Sequence, residues 1–226
     1  MVSVIRDISD EKETEKQLNK NLEEKAMLLV DKHHRVKNNL AVIASLLYLQ
    51  MEEAVNKRER KCLRVAYSRL QSVALVHEQL YKHAELNTKI DLGSYIPHLI
   101  KSIEQTTDSN PKEITTSVKA NHISILLVRA VHTGLLISEL LMNAYKHAFI
   151  GKNKGPIKVD VTSKKDTLYL QVSDDGVGLP ENFTFDSGSI GMNIIQTLSK
   201  QLHGNLEFSS RDNQGTSFSV SFGIHN

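Results

Sequence analysis

The chain has 226 residues, enough for one large domain or two modest ones. Its 28 basic and 26 acidic residues leave a net charge of +2, which gives nucleic-acid binding no electrostatic support. An apolar share of 40% suffices for a packed core, yet no apolar run approaches the roughly 18–20 residues a membrane-spanning helix needs. The single Cys62 excludes an internal disulfide, and charge beginning at Arg6 leaves no secretory signal pattern, so a reducing, cytoplasmic location is expected.

The opening VSVIRDIS is β-prone and reads as a short strand ending near Asp7. From about Ser9 to Val55 neither Pro nor Gly interrupts the chain. Leu18, Leu22, Ala26, Leu29, His33, Val36, Leu40, Ile43 and Leu47 recur at steps of three and four, one stripe along a long helix. Its first part, dense in Glu and Lys, reads as a coiled-coil lead-in. Asn56 with Glu59 is a capping box for a second helix, striped by Leu63, Ala66, Leu70, Val73, His77 and Leu80. Two long helices joined by a short turn predict an antiparallel hairpin, and two hairpins bury their apolar faces as a four-helix bundle. A homodimer is therefore expected. A turn near residue 55 would set His33 and His77 in one layer, where zinc would lack a suitably spaced third ligand.

Beyond Asn87 the pattern changes. A helix over 92–106, a turn at Ser109-Asn110-Pro111 and a strand over 113–120 are predicted, then a helix over 129–149 with Leu136, Leu140, Ala144 and Ala148 on one face. Ile157, Val159 and Val161 alternate, as do Leu168, Leu170 and Val172, the period of half-buried strands. A helix from Ile190 to His203 follows, and Leu206 with Phe208, then Phe218, Val220 and Phe222, supply two more strands. The second half is an expected α+β sandwich, a sheet with helices on one face.

Chemistry-bearing residues cluster in this half. Glu139, Asn143, Lys146 and His147 share one helical face, opposite the apolar stripe and therefore pointing away from the core. An Asn amide oxygen is a hard ligand suited to Mg²⁺, Lys146 offers a cation to phosphate, and Glu139 can hold a metal-bound water or take a proton. As an isolated pattern this is a solvated helix face. Downstream, however, a strand ends at Asp174 and is followed by Gly176 and Gly178, which permit tight turns and close ligand approach. A buried carboxylate there can accept a hydrogen bond from an exocyclic amine such as adenine N6, although an Asp-Gly hairpin turn has the same spelling. Gly188 and Gly191 precede a helix whose N-terminal amides can cradle phosphate, and Gly215-Thr216 opens the last strand.

In this order the motifs resemble the Bergerat-type ATPase superfamily of gyrase-type, Hsp90-type and histidine-kinase ATPases, over residues 90–222. The resemblance implies ATP and Mg²⁺ as cofactors, with Asn143 as the metal ligand, Asp174 as the adenine reader and Thr216 in support. The segment from Pro180 to Ser187 would be a short ATP lid, where Phe183 and Phe185 close over nucleotide or simply pack.

Neutral imidazole is a good nucleophile near pH 7, and its phosphoramidate is labile enough to pass phosphate onward. His33 lies on the inward stripe and His34 about 100° around the helix from it, which favours His34 as an acceptor reached from another domain. The segment KHHRVKNNLAVIASLLYLQ (32–50), with SVALVHEQLYK (72–82), resembles the dimerisation hairpin of sensor histidine kinases of the HHRVKN type. In commoner members an acidic residue follows the acceptor. Arg35 stands there in this chain, so Asp31 becomes the candidate orienting base, Arg35 a partner for the γ-phosphate and Asn38 a water-positioning residue. His132-Thr133 also departs from an apolar tendency and receives no role. VIRDISDEKETEKQL (4–18) resembles the exit strand and linker of PAS-type sensors, so a sensor domain is expected upstream.

These readings divide the chain into a sensor exit strand (1–10), a signalling linker (11–30), a dimerisation and phosphotransfer hairpin (31–86) and an ATP-binding domain (87–226). The expected activity is an ATP-dependent protein-histidine kinase that phosphorylates His34 and passes the group to an Asp of a response-regulator receiver domain. Two other classes compete. One is a plain ATPase in which Glu139 activates water, and the other is a catalytically silent dimeric scaffold.

Overall fold

The computed structural model describes residues 2–82, 89–106, 113–152, 154–180, 183–184, 190–211 and 213–225. Within its helices, the side chains of residues 2–11, 19, 22–34, 61, 68, 79–82 and 105–106 lie outside the described ones. The predicted turn at 109–111, Phe185 and Gly188 also fall outside them.

Two long helices, α1 (Val2–Glu53) and α2 (Lys57–Lys82), form the expected hairpin. Its turn is fastened by the capping box, since the Glu59 amide donates to Asn56 Oδ1 at 2.8 Å while the Asn56 amide group faces Glu59 Oε2 at 3.5 Å. The opening segment is helical rather than a strand, which corrects the exit-strand expectation for residues 2–10. A lone strand leaves its N–H and C=O groups without neighbours, whereas a helix pairs them locally, and no Pro or Gly interrupts this one.

Lys37 stands 3.7 Å from Glu78, and the rings of Tyr48 and Tyr67 lie 6.2 Å apart. This register sets residue 34 level with residue 81 and His77 level with Asn38, about five residues from the pairing expected from a turn at residue 55. Part of the first turn of α2 is spent folding back over the end of α1, where Arg60 reaches the Glu52 carbonyl. Leu40, Ala44, Leu47 and Met51 face α2, while Val36, Val42, Ile43, Leu46 and Leu49 are exposed along the other flank of α1.

The second half is a five-stranded mixed sheet of order β2-β4-β5-β7-β6, built from Glu113–Ala120 (β2), Lys154–Lys164 (β4), Thr167–Asp174 (β5), Asn205–Arg211 (β6) and Gly215–Gly223 (β7). Only the β2–β4 pairing is parallel. A small ladder joins β1 (Lys89–Asp91) to β3 (Ser124–Leu126). Helices α3 (Leu92–Thr106), α4 (Leu127–Asn143) and α5 (Ile190–Gln201) cover the sheet face that presents Ile157, Val159, Val161, Leu168, Leu170, Val172, Phe218, Val220 and Phe222. The alternation read from the sequence is thus the inward face of the sheet. Helix α3 begins where the Asp91 carboxylate accepts from the amides of Gly93 and Ser94, at 3.3 and 3.2 Å. Val76 of α2 is buried in the same core, so the hairpin packs directly onto the sheet-bearing half. Among the described residues, no helix is long and apolar enough to cross a membrane.

Candidate functional site

The end of β5 holds the most constrained part of the site. Asp174 pairs with Thr216 across the sheet, and its Oδ1 accepts from the amides of Gly176 (2.9 Å) and Thr216 (3.3 Å). Burial pushes the Asp174 carboxyl above the usual carboxylate range, and these two backbone donors oppose that shift. The loop after it is stitched down on every side. The Val177 amide donates to the Ala148 carbonyl at 2.8 Å, and that of Leu179 donates to Ser210 Oγ at 2.7 Å. Lys152 Nζ donates to the carbonyls of Asp175 and Gly176, each at 3.0 Å.

Two glycines are required by contact rather than by turn type. A Cβ at Gly176 would strike the Ala148 carbonyl, and one at Gly215, where φ is +88°, would strike that of Asp174. Gly178 also takes a positive φ, of +85°. Thr216 is buried, its hydroxyl 3.3 Å from Ser210 Oγ.

The Asn-bearing helix behaves differently from its sequence reading at two points. First, α4 stops at Asn143 and widens into a single π-helical turn, Ala144–Ala148, which anchors Ala144 and Ala148 inward and leaves Lys146 and His147 exposed. Second, Glu139 does not point into solvent. It is buried, and Arg69 of α2 donates through Nε to both of its carboxylate oxygens, at 3.1 and 3.3 Å. At Glu139 the face opposite the apolar stripe is covered by the hairpin, which corrects the expectation that this residue points away from the core into the open. Burial raises the Glu139 carboxyl above its ordinary value, against the charges of Arg69 and Lys146. Partial desolvation of an otherwise exposed side chain, then the charge of Arg69, lowers the Lys146 ammonium, and Glu139 opposes the shift.

The N-terminus of α5 closes this corner. A methyl at Gly191 would lie 3.0 Å from Arg69 Nη2 and 3.3 Å from both Asn143 Oδ1 and Glu139 Oε2. Gly191, Asn143 and Glu139 therefore come together at one corner, with Arg69 as a fourth member that the sequence reading did not include. Nothing local marked Arg69, which lies 70 residues from its partner. Lys152 had a fainter signal, a cation just beyond the Asn-bearing helix.

Phe183 stacks edge-on against Phe208 at 5.1 Å, a packing contact next to the last strands of the sheet. Asp31, His33 and His34 lie in α1, with side chains outside the described ones, while Arg35 and Asn38 are exposed on the same helix. No group of three His, Cys, Asp or Glu suited to a metal occurs among the described residues. Metal binding would therefore draw on an amide, water and a ligand's own oxygens. Asn143 and Glu139 bring their oxygens to one spot beside Gly191, a donor set that fits a hard cation.

Comparison with known proteins accounts for both halves. Residues 31–107 match a family model described as histidine kinase, and residues 129–225 match one described as histidine kinase-, DNA gyrase B-, and HSP90-like ATPase. The chain is 30% identical over 220 residues to the sensor histidine kinase PdtaS of Mycobacterium tuberculosis, covering 94% of this chain and 42% of that protein. It is 29% identical over 195 residues to blue-light-activated histidine kinase 2 of Erythrobacter litoralis, covering 83% of this chain and 54% of the relative. It thus spans about half the length of these relatives. Among solved structures, the histidine kinase domain of a blue-light-activated histidine kinase from Erythrobacter litoralis superposes with a TM-score of 0.64 at 26% identity, covering 87% of this chain and 93% of that one. With a helical histidine-kinase domain and a histidine-kinase-type ATPase domain in one order and one fold, the chain belongs to the sensor histidine kinases.

Proposed function

We propose that this chain is the catalytic core of an ATP-dependent protein-histidine kinase, phosphorylating His34 and passing the phosphoryl group to an Asp of a response-regulator receiver domain. The observation that carries the reading is the Asp174 carboxylate. It is held by two backbone N–H groups at a strand end and enclosed by a loop that tolerates no side chain at residue 176. Such a carboxylate reads an exocyclic amine and suits adenine, with Thr216 and Ser210 bracing it.

At the other end Asn143 would hold Mg²⁺, and Glu139 would orient one of its waters. The ion supplies charge neutralisation on the phosphate oxygens. Lys146 and His147 would face the phosphates, and Gly191 would bring an α5 amide toward them, with Gly188 the other glycine of that motif. In the reaction the neutral His34 ring nitrogen attacks the γ-phosphorus, the bond to the ADP oxygen breaks, and a proton leaves the ring. Asp31, one turn before, would orient the imidazole or take that proton, with Arg35 meeting the γ-phosphate and Asn38 one turn beyond positioning water. Positioning rather than covalent assistance carries such a transfer.

The exposed row Val36, Ile43, Leu46 and Leu49 on α1 supports a homodimer through the hairpin, and the lead-in helix would carry a signal from an upstream sensor domain. Incubation with γ-labelled ATP tests the reading. Acid-labile, base-stable label on the protein, lost in His34→Gln, is expected. Free phosphate alone, released equally by His34→Gln, would replace it with the plain ATPase.

A further inference from the structure

A cleft of about 690 Å³ lies between the hairpin and the ATPase half, lined by Lys57, Arg60, Arg64 and Val65 on one side and by Lys146 and His147 on the other. Five of these six residues are basic and none is acidic. Arg60 and Arg64, one helical turn apart, are exposed on α2. The nearby carboxylate of Glu139 is engaged by Arg69 and reaches Lys146 only as a secondary charge. Like charges converging on a shared solvent-filled gap repel unless an anion enters it.

The cleft shares the π-turn residues Lys146 and His147 with the site already described. Ala148, the residue after His147, accepts the amide of Val177 in the loop that follows Asp174. A ligand whose base lies at Asp174 therefore has the π-turn, one wall of the cleft, as its neighbour.

We infer that α2 supplies the outer wall of the nucleotide site, and that the cleft grips the terminal phosphates of ATP between Arg60 and Arg64 on one side and Lys146 and His147 on the other. This rests on the reading of Asp174 as the adenine-binding end. Guanidinium groups suit the task because each presents a rigid fork of donors to phosphate oxygens. Bound ATP then bridges the two halves and holds the ATPase half against α2 at residues 57–65. That level is at least about 24 Å along the hairpin from residue 34, at roughly 1.5 Å of rise per residue. Nucleotide in the cleft is loaded at a distance from its acceptor, and transfer requires the ATPase half to leave Arg60 and Arg64.

The test is calorimetric titration of the full chain with Mg-ATP, Mg-ADP and tripolyphosphate. Arg60→Gln/Arg64→Gln changes two exposed helical positions without introducing a poor helix former, and an unchanged helical circular-dichroism signal checks the fold. The double variant is expected to lose about tenfold or more in ATP affinity and at most about threefold in ADP affinity, with tripolyphosphate following ATP. ATP affinity within about twofold of the unmodified chain, or equal losses for ATP and ADP, overturns the proposal. If the unmodified chain binds neither nucleotide, the nucleotide-site reading falls and the cleft assignment falls with it, a result distinct from failure of the arginine variant alone.

Discussion

Replacing Asp174 by Asn changes one atom and separates recognition from folding. Oδ1 receives both backbone donors, from Gly176 and Thr216, so it must remain an oxygen in the variant. The new amide nitrogen then takes the second position, the one proposed to meet adenine N6. A charge-assisted hydrogen bond of about 1.5–3 kcal/mol is lost, and two donors are left face to face. A total of roughly 2–4 kcal/mol corresponds to ATP binding weakened about 30- to 1000-fold. Stability moves the other way. Burial raises the Asp174 pKa above 3.8, so its folding contribution is full below that value and is lost as pH rises through the folded pKa. A neutral amide removes that loss at neutral pH, and the variant is expected to melt no lower than the unmodified chain. Guanine carries a carbonyl where adenine carries the amine, so the ratio of GTP to ATP affinity rises. Isothermal titration with both nucleotides, alongside thermal unfolding, reads all three effects. Unchanged ATP affinity, or an affinity loss that merely tracks a fall in melting temperature, would refute the assignment.

The Arg69–Glu139 pair is expected to behave as a coupled unit. Arg69→Gln leaves a buried carboxylate without its partner and should cost about 2–3 kcal/mol, below the usual range for fully buried pairs because Arg69 is partly exposed. Adding Glu139→Gln should restore part of that loss, and additive losses in a denaturant double-mutant cycle would deny the coupling. Acid sensitivity is expected from His132, whose pKa is lowered by burial and then by the charge of Arg129. Its contribution is present above the ordinary value of 6.5 and is lost as pH falls through the lower, folded value. The drop in melting temperature between about pH 7.5 and about pH 5.5 should therefore be smaller in His132→Leu, and an equal drop in both proteins would dismiss the residue as the cause.

The elements that the sequence showed most clearly are those whose structure is decided locally or by simple periodicity. Strand β2 falls on residues 113–120 and helix α3 on 92–106, as read, and the Asn56 capping box forms with the expected partners. The Asp174–Gly176 corner was equally legible, because a strand end followed by glycines fixes geometry within five residues. What stayed hidden depends on partners far along the chain. Glu139 looked solvated because its own helix places it opposite the apolar stripe, and only α2 buries it. The helical state of residues 2–10 is hidden in the sequence because β-branched residues there favour a strand, while the partner a strand needs is not a local property. The hairpin register shifted because the turn alone does not set how two helices interlock.

The contact between hairpin and ATPase half combines two kinds of attachment with different consequences for movement. At one end Val76 is buried near Tyr95, and Gly134 leaves the space that the Tyr95 ring occupies, since a methyl there would strike its hydroxyl. That hydroxyl is buried and has no hydrogen-bond partner among the described residues, a cost of about 1–3 kcal/mol charged to this packing. At the other end Arg69 holds Glu139 beside Asn143, the spot proposed for a metal-bound triphosphate. Apolar contact is non-directional and tolerates sliding, whereas the ion pair is directional and can be exchanged for another cation. An attachment that carries an unpaired hydroxyl at its apolar end and a replaceable cation at its polar end is suited to release. A cation at Glu139 would compete with Arg69 there, while phosphates in the proposed cleft would be held by Arg60 and Arg64 of the same helix, so that filling the proposed nucleotide site would exchange one contact with α2 for another.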